Sequence, residues 1–150
     1  MLSVDANILL YAYETSCPEH DRALSFILSL AQREDVAISE FVLVELYNLL
    51  RNEAVVQEPL SAPDAVDVIQ TYRRHPRWRL ISFPPPQAGS AEALWRIAAS
   101  RAFARRRIFD ARTALVLRHY GVTDFATCNI KDFADLGFKR VWNPLHGQVH

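Results

Sequence analysis

The sequence predicts a single three-layer α/β domain, in which a mainly parallel sheet of four or five strands lies between helices. The chain has 150 residues, which is the size of one domain. Apolar residues make up 50% of it, enough for a continuous core at this length. Short apolar runs alternate with segments whose apolar residues recur at helical spacing, the pattern of strands joined by helical crossovers.

In the first half of the chain, apolar runs that stop at polar residues predict buried strands, and Asn or Ser beside periodic apolar positions predicts helix starts. The predicted elements are a strand Leu2–Val4, a helix capped by Asn7 that runs to about Tyr13, a helix opened by Pro18, Glu19 and His20, a strand Val36–Ile38, and a helix capped by Ser39 that runs to about Asn52.

The second half follows the same alternation, interrupted by the run Pro84-Pro85-Pro86, which predicts a loop inside one domain of residues 1–150 because neither half would form a domain alone. The predicted elements are a helix started by Pro63 and Asp64 that ends near Tyr72, a strand Arg79–Phe83, a helix from Ala91 to about Arg106, a helix opened by Asp110 that stops near Gly121, a strand Phe125–Cys128, and Val141–Trp142 as a candidate fifth strand.

Charge and cysteine content indicate which partners and which cellular compartment the protein is suited to. Lys plus Arg and Asp plus Glu both number 17, so the overall basic excess of many nucleic-acid binders is absent, although charge can still be clustered. Cys17 and Cys128 are too few for a disulfide framework, which favours a reducing compartment. The first residues lack a basic n-region, and no apolar run approaches the roughly 20 residues of a membrane helix. We therefore expect a cytoplasmic protein.

Two acidic residues stand at informative places. Asp5 follows the first predicted strand, and ligands bind parallel sheets at the carboxyl ends of strands. The alternative is a helix cap or a turn residue. Glu45 has Phe41 at i−4, Val42 at i−3 and Leu49 at i+4, so it is predicted to lie within an apolar helix face. A charge there needs a metal or a partner such as an arginine.

Two further acids come later in the chain. Asp110 opens a helix, where simple capping is the alternative role. Thr127, Asn129 and Asp132 follow the fourth predicted strand and could equally be loop and cap residues. Each position is a weak signal alone. Together they predict an acidic group at one edge of the sheet.

The order of these motifs resembles the PIN domain, and specifically the VapC-type toxins of bacterial toxin–antitoxin pairs. Asp5-Ala-Asn7 is similar to the family's opening Asp-x-Asn, and Glu45 to its helix-borne Glu. Asp110 followed by small residues resembles the third acidic position, and Thr127-x-Asn129 with Asp132 the closing motif. The resemblance covers nearly the whole chain. Many relatives have Asp where this chain has Asn129, so either Asn129 or Asp132 completes the site.

The resemblance implies a metal-dependent endoribonuclease that uses Mg²⁺ or Mn²⁺, ions that prefer carboxylate oxygens. The implied metal and catalytic residues are Asp5, Glu45, Asp110 and Asp132, with Asn7, Thr127 and Asn129 orienting the carboxylates or water. The arginines beside Asp110 predict contacts with RNA phosphates. They are Arg105, Arg106, Arg107 and Arg112.

The resemblance also implies a homodimer silenced by a small antitoxin. Apolar residues on two helices near the predicted site could contact such a partner or could simply complete the core. They are Tyr11, Tyr13, Leu46, Tyr47 and Leu50. Two other function classes remain open at this point. One is a PIN-like module that binds RNA or protein through a weakened site, and the other is a metal phosphohydrolase that acts on small phosphate esters.

Overall fold

A six-stranded sheet forms the centre of the molecule. The computed structural model describes residues 1–85 and 89–149. Strands β1 to β5 pair in parallel, and β6 pairs antiparallel with β5 across a tight turn. The spatial order is β3-β2-β1-β4-β5-β6. The strands are β1 (Leu2–Val4), β2 (Val36–Ser39), β3 (Arg79–Ile81), β4 (Asp124–Ala126), β5 (Arg140–Asn143) and β6 (Gln148–Val149).

Seven helices in the described residues connect and cover these strands. They are α1 (Ala6–Tyr13), α2 (His20–Leu30), α3 (Glu40–Leu50), α4 (Ala62–Arg73), α5 (Ser90–Ala98), α6 (Arg107–His119) and α7 (Ile130–Phe133). The predicted α/β class and mainly parallel sheet are confirmed. The two-residue strand β6 was not predicted.

The sheet has a separate apolar core on each face, because successive side chains of a strand point to opposite sides. Val36 and Ile38 of β2 belong to the core that also contains buried residues of α1, α2, α3 and α4. Ala37, between them, belongs to the core formed with α6 and α7. This alternation produces the three layers, helices–sheet–helices, and it explains why the central strands read as continuous apolar runs.

The chain reverses its direction across the sheet at β1. From β1 it proceeds to β2 and β3 on one side, and later to β4 and β5 on the other. The carboxyl ends of β1 and β4 are therefore neighbours at a topological switch point, where open α/β sheets bind ligands. Val4 is aligned with Ala126, and the Asp5 N–H donates to the Ala126 carbonyl at 2.9 Å.

Several boundaries differ from the prediction. The cap of α1 is Asp5 and not Asn7, since the Asp5 side chain accepts the Ala6 N–H. Ser39 caps α3 as predicted. Helix α5 ends at Ala98, where a helix to about Arg106 was expected. Pro84 and Pro85 have no regular secondary structure, as predicted, and Pro86 lies outside the described residues.

Two further sequence expectations concern the cysteines and membranes. Cys17 and Cys128 are both free thiols. Within residues 1–85 and 89–149, no helix has the length and apolar character needed to cross a bilayer.

Candidate active site

Asp5 is held in place at the switch point by groups from two elements. Asp5 is only 6% exposed. Oδ1 accepts the Ala6 N–H at 2.8 Å, which caps α1. Oδ2 accepts the Thr127 hydroxyl at 2.5 Å and the Asn7 amide at 2.8 Å. Asp5 therefore caps α1 with one oxygen, the alternative role considered from the sequence, and its carboxylate is more buried than those of Glu45, Asp110 and Asp132.

The pKa of Asp5 is raised from 3.8 to about 7. Burial is the largest cause, since it penalises the charged form, and the negative charge of Glu45 adds to it. The hydrogen bonds from Thr127, Ala6 and Asn7 act in the opposite direction. A cation beside Asp5 would stabilise its charged form and so oppose the effect of burial on its pKa.

Thr127 links β4 to the start of α1. Its Oγ1 donates to Asp5 and accepts the Asn7 amide at 3.2 Å and the Asn129 N–H at 2.9 Å. The Asn7 Oδ1 in turn accepts the Cys128 N–H at 3.3 Å. These bonds fix the loop after β4 against α1. The side chains of Asn7 and Thr127 thus both donate to the Asp5 carboxylate, while Asn129 donates its backbone N–H to Thr127.

Glu45 lies on the exposed side of α3, which corrects the prediction that it sits within the apolar face. The buried residues of the helix are Val42, Leu43, Leu46 and Leu50. The Glu45 carboxylate nevertheless stands in a concave region, where neighbouring atoms partly desolvate it and raise its pKa. The charge of Asp110 raises it further, and Arg112 lowers it. Among the described residues Glu45 forms no salt bridge.

Asp110 lies in the first turn of α6 and is half-buried. The helix begins three residues earlier, at Arg107, so Asp110 does not open it. The pKa of Asp110 is raised from 3.8 to about 6, first by burial, then by the charges of Asp132 and Asp5. Arg107 lowers it. Asp110 is therefore electrostatically coupled to carboxylates from three other elements, namely Asp5, Glu45 and Asp132.

Asp132 and Asn129 occupy different positions in the closing motif. Asp132 is exposed on α7, and its charge raises the pKa of Asp110. Asn129 is the residue before α7 and makes no side-chain capping bond. It is exposed on a cleft of about 500 Å³ that Asn7 and Glu45 also line. Asp132 thus adds charge to the acidic group, and Asn129 adds a neutral amide to the cleft beside it.

Asp5, Glu45, Asp110 and Asp132 form what we call the acidic group. In the part of the chain that the structure describes, no three His, Cys, Asp or Glu side chains are close enough to ligate one ion as they stand. The donor chemistry nevertheless fits a hard divalent cation, since all four donors are carboxylates whose mutual repulsion a cation would relieve. The acidic group thus has the ligand types that such a cation prefers, at separations wider than those of a bound site.

The predicted RNA-binding arginines do not all remain free. Arg107 forms a salt bridge with Asp135. Arg112 places its Cζ 4.0 Å from the centre of the Phe41 ring and faces Glu45 electrostatically. Arg105 and Arg106 are exposed. The aromatic partners of Arg112 were not predicted, although Phe109 directly precedes Asp110 in the sequence.

The residues proposed from the sequence as antitoxin contacts divide into two groups. Leu46 and Leu50 are fully buried in the core, which excludes them from any surface. Tyr13 is exposed, and Tyr11 and Tyr47 are partly buried. Tyr11 lines the cleft beside Glu45 together with Leu10.

The fold, the switch-point aspartate and the ordered acidic positions define a class of protein. The family model "PIN domain" matches residues 2–139. The chain belongs to the PIN-domain family.

Comparison with individual proteins leads to VapC-type members of that family. The chain is 54% identical over 145 residues to "Ribonuclease VapC24" of Mycobacterium tuberculosis (strain ATCC 25618 / H37Rv), with 97% of each chain covered. Among solved structures, Mycobacterium tuberculosis VapC20 has a TM-score of 0.67 at 19% identity, covering 92% of this chain and 96% of that one. VapBC2 from Rickettsia felis has a TM-score of 0.60 at 17% identity, covering 95% and 97%. At such identities the two structures support the fold alone.

Proposed function

We propose that this protein is an endoribonuclease that hydrolyses RNA phosphodiester bonds in the cytoplasm. The observation that carries the proposal is the acidic group at the switch point, in which burial and mutual repulsion raise the pKa values of three carboxyls. Burying carboxylates close together destabilises the fold, and groups with pKa values perturbed in this way cluster at binding and catalytic sites. The relative at 54% identity is named a ribonuclease, which supports the same reaction class.

The proposed cofactor is Mg²⁺ or Mn²⁺, held by Asp5, Glu45 and Asp110, with Asp132 as the fourth acid. When bound, the ion would polarise a phosphoryl oxygen and lower the pKa of water. Thr127 and Asn7 keep the Asp5 carboxylate in one orientation through their hydrogen bonds. The exposed Arg105 and Arg106 would contact backbone phosphates together with Arg107 and Arg112.

The biological role we propose is the toxin of a toxin–antitoxin pair. The VapC20 structure is described as a Sarcin-Ricin loop cleaving toxin, and VapBC2 is described as bound to a DNA fragment from "their promoter". On this proposal a cognate antitoxin covers the site, and the toxin is a homodimer.

The first prediction is that Asp5→Asn, Glu45→Gln and Asp110→Asn each lower cleavage by at least about 100-fold while the protein stays folded, because each removes a charge that the ion requires. Cleavage of an end-labelled RNA is measured with Mg²⁺, Mn²⁺ or EDTA, and circular dichroism checks the fold. Asp67→Asn, on the exposed side of α4, is the matched control and should cleave at the wild-type rate.

The same preparations separate the other function classes. A module with a weakened site would bind RNA without cutting it, and calorimetry would detect no Mg²⁺ or Mn²⁺ binding. A phosphohydrolase would release phosphate from a chromogenic ester faster than it cuts RNA. Wild-type cleavage by Asp5→Asn would refute the assignment of the site.

A further inference from the structure

Three phenylalanines near the acidic group are linked through ring contact and through Arg112, and we call them the aromatic cluster: Phe41, Phe83 and Phe109. Phe41 lies in the first turn of α3, and its ring centre is 4.8 Å from that of Phe83 at an interplanar angle of 72°. Phe83 follows β3 and is 60% exposed, and Phe109 lies in the first turn of α6 and is 59% exposed. Two large apolar rings therefore face solvent at the carboxyl edge of the sheet.

Arg112 joins these rings into one surface. Its Cζ lies 4.0 Å from the centre of the Phe41 ring and 5.6 Å from that of Phe109. A guanidinium between two rings restricts their motion and gains cation–π energy. Its Nε is buried and has no hydrogen-bond partner among the described residues. An unsatisfied buried donor is costly, so the protein's own hydrogen bonds leave the Arg112 side chain incompletely satisfied.

The aromatic cluster is continuous with the acidic group. Phe109 is the residue immediately before Asp110, and Arg112 follows two positions later on the same helix. Arg112 also faces Glu45 electrostatically. A ligand that stacks on the rings and pairs with the guanidinium of Arg112 must therefore present a planar apolar part close to an anionic part. Arg105 and Arg106, exposed and outside every salt bridge of the described residues, add positive charge just before the ring of Phe109.

We propose that the exposed ring of Phe109 forms a stacking platform for an unpaired nucleobase adjacent to the phosphate that is cut. A nucleotide has the planar part and the anionic part that this surface requires, and aromatic rings stack on bases of any sequence. A base in an A-form duplex is already stacked and paired, so the platform selects single-stranded or looped RNA. This inference rests on the proposed ribonuclease function and adds to it a position where one base of the RNA stacks.

The binding test uses a single-stranded oligoribonucleotide with one 2-aminopurine, whose fluorescence falls when the base stacks. It is carried out in the Asp5→Asn background, so that the RNA stays intact. Moving 2-aminopurine along the strand should reveal one or two positions that are quenched on binding. Adding Phe109→Leu should abolish that quenching and raise Kd about tenfold, since base stacking on an aromatic ring contributes about that factor or more. Adding Trp95→Leu, which removes a 63% exposed ring on α5, should change neither quantity.

The cleavage test uses the otherwise wild-type protein and substrates that each lack one base. Removal of the base at the quenched position should raise KM about tenfold, with a smaller effect on kcat. In Phe109→Leu the same removal should have no further effect, because the ring that it stacks on is gone. In the matched duplex 2-aminopurine is already stacked, so binding of the protein should cause no further quenching at any position.

Three results would overturn the inference. One is equal quenching with and without the Phe109 ring, and another is equal cleavage of intact and base-deleted substrates. The third is a change of oligomeric state in Phe83→Leu or Phe109→Leu with unchanged RNA affinity, which would show that the rings cover a protein partner. If the wild type cuts no RNA, the ribonuclease proposal fails separately, and the quenching experiment still decides whether the platform binds a base.

Discussion

At the scale of single residues, Asp5 and Asp110 carry the same kind of charge in different surroundings. Both oxygens of Asp5 accept hydrogen bonds, whereas the side chain of Asp110 has none among the described residues. Replacing Asp5 therefore disturbs structure as well as charge. Replacing Asp110 changes mainly the charge, which makes it the better probe of repulsion within the acidic group.

We predict that Asp110→Asn raises the melting temperature in EDTA by roughly 2 to 4 °C at pH 7, the change that about 1 kcal/mol produces in a domain of this size. The pKa of Asp110 rises from 3.8 to about 6 on folding, so the folded protein holds that proton more strongly. The stability that the folded protein gains by binding this proton is therefore complete below pH 4 and is lost as the pH rises through 6. Asn does not titrate.

The expected signature in thermal melts is thus a difference between variant and wild type that grows from pH 4 to pH 7. A difference that stays constant over this range would show that ionisation of Asp110 does not oppose folding. Asp67→Asn serves again as the control and should show no such trend.

The closing motif allows a second prediction at this scale. Because Asp132 raises the pKa of Asp110 and Asn129 is neutral, Asp132→Ala should weaken Mn²⁺ binding more than Asn129→Ala. Titration calorimetry measures both affinities. The reverse order would transfer the fourth ligand position to Asn129, and equal wild-type affinity in both variants would leave a site of three carboxylates.

At the scale of helices and strands, the sequence predicted best where a local rule and the tertiary structure agree. Ser39 precedes an apolar helix and caps it, and the short apolar run before Asp5 is a central strand. The start of α6 was misplaced because Arg106 occupies its capping position without a capping side chain, so no local signal marks it. Asp110 instead lies in the first turn, where its charge complements the helix dipole.

The orientation of Glu45 was predicted incorrectly for a related reason. Its apolar neighbours in sequence, Phe41 and Leu49, are themselves only partly buried, so they mark the edge of the buried face of α3 and not its centre. Residues 99–106 contain good helix formers, yet the chain forms turns there, with Phe103 N–H bonded to Ser100 and Arg107 N–H to Ala104. The tertiary structure therefore overrides the helix propensity of that segment.

The burial pattern of α3 leads to a prediction about stability. Leu46→Ala should lower the free energy of unfolding by about 2 to 5 kcal/mol, since it opens a cavity in the core beneath the helix. Val44→Ala, on the exposed side of the same helix, should change it by less than about 0.5 kcal/mol. Urea unfolding measures both. Similar losses in the two variants would contradict the orientation of α3.

At the scale of the whole molecule, a net charge of zero conceals an uneven arrangement. The salt bridges of the described residues involve none of the four members of the acidic group. Arginines distant in sequence from that group are neutralised elsewhere, as Arg73 is by Glu40 and Arg77 by Glu34. Negative charge is thus concentrated at the switch point, and among the described residues no arginine forms a salt bridge with it. The total composition could not predict this, because it depends on which charges the fold pairs.

The last prediction concerns assembly. Purified alone, the chain should be a homodimer by light scattering, and the product of the adjacent gene should bind it and suppress RNA cleavage. The cleft beside Glu45 is lined both by apolar side chains, such as Leu10 and Val55, and by the Glu45 carboxylate. It therefore suits an amphipathic helical segment that carries a basic residue.

Val55 and Val66 provide a matched pair for testing that cleft, because both are 43% exposed and only Val55 lines it. A buried charge in the interface opposes binding, so Val55→Asp should weaken the complex at least about tenfold and restore cleavage in its presence. Val66→Asp, on α4, should leave inhibition intact. Equal inhibition of both variants would place the antitoxin elsewhere. A monomer whose cleavage no neighbouring gene product affects would refute the dimer and the toxin role together, while the acidic group and its ribonuclease activity would stand.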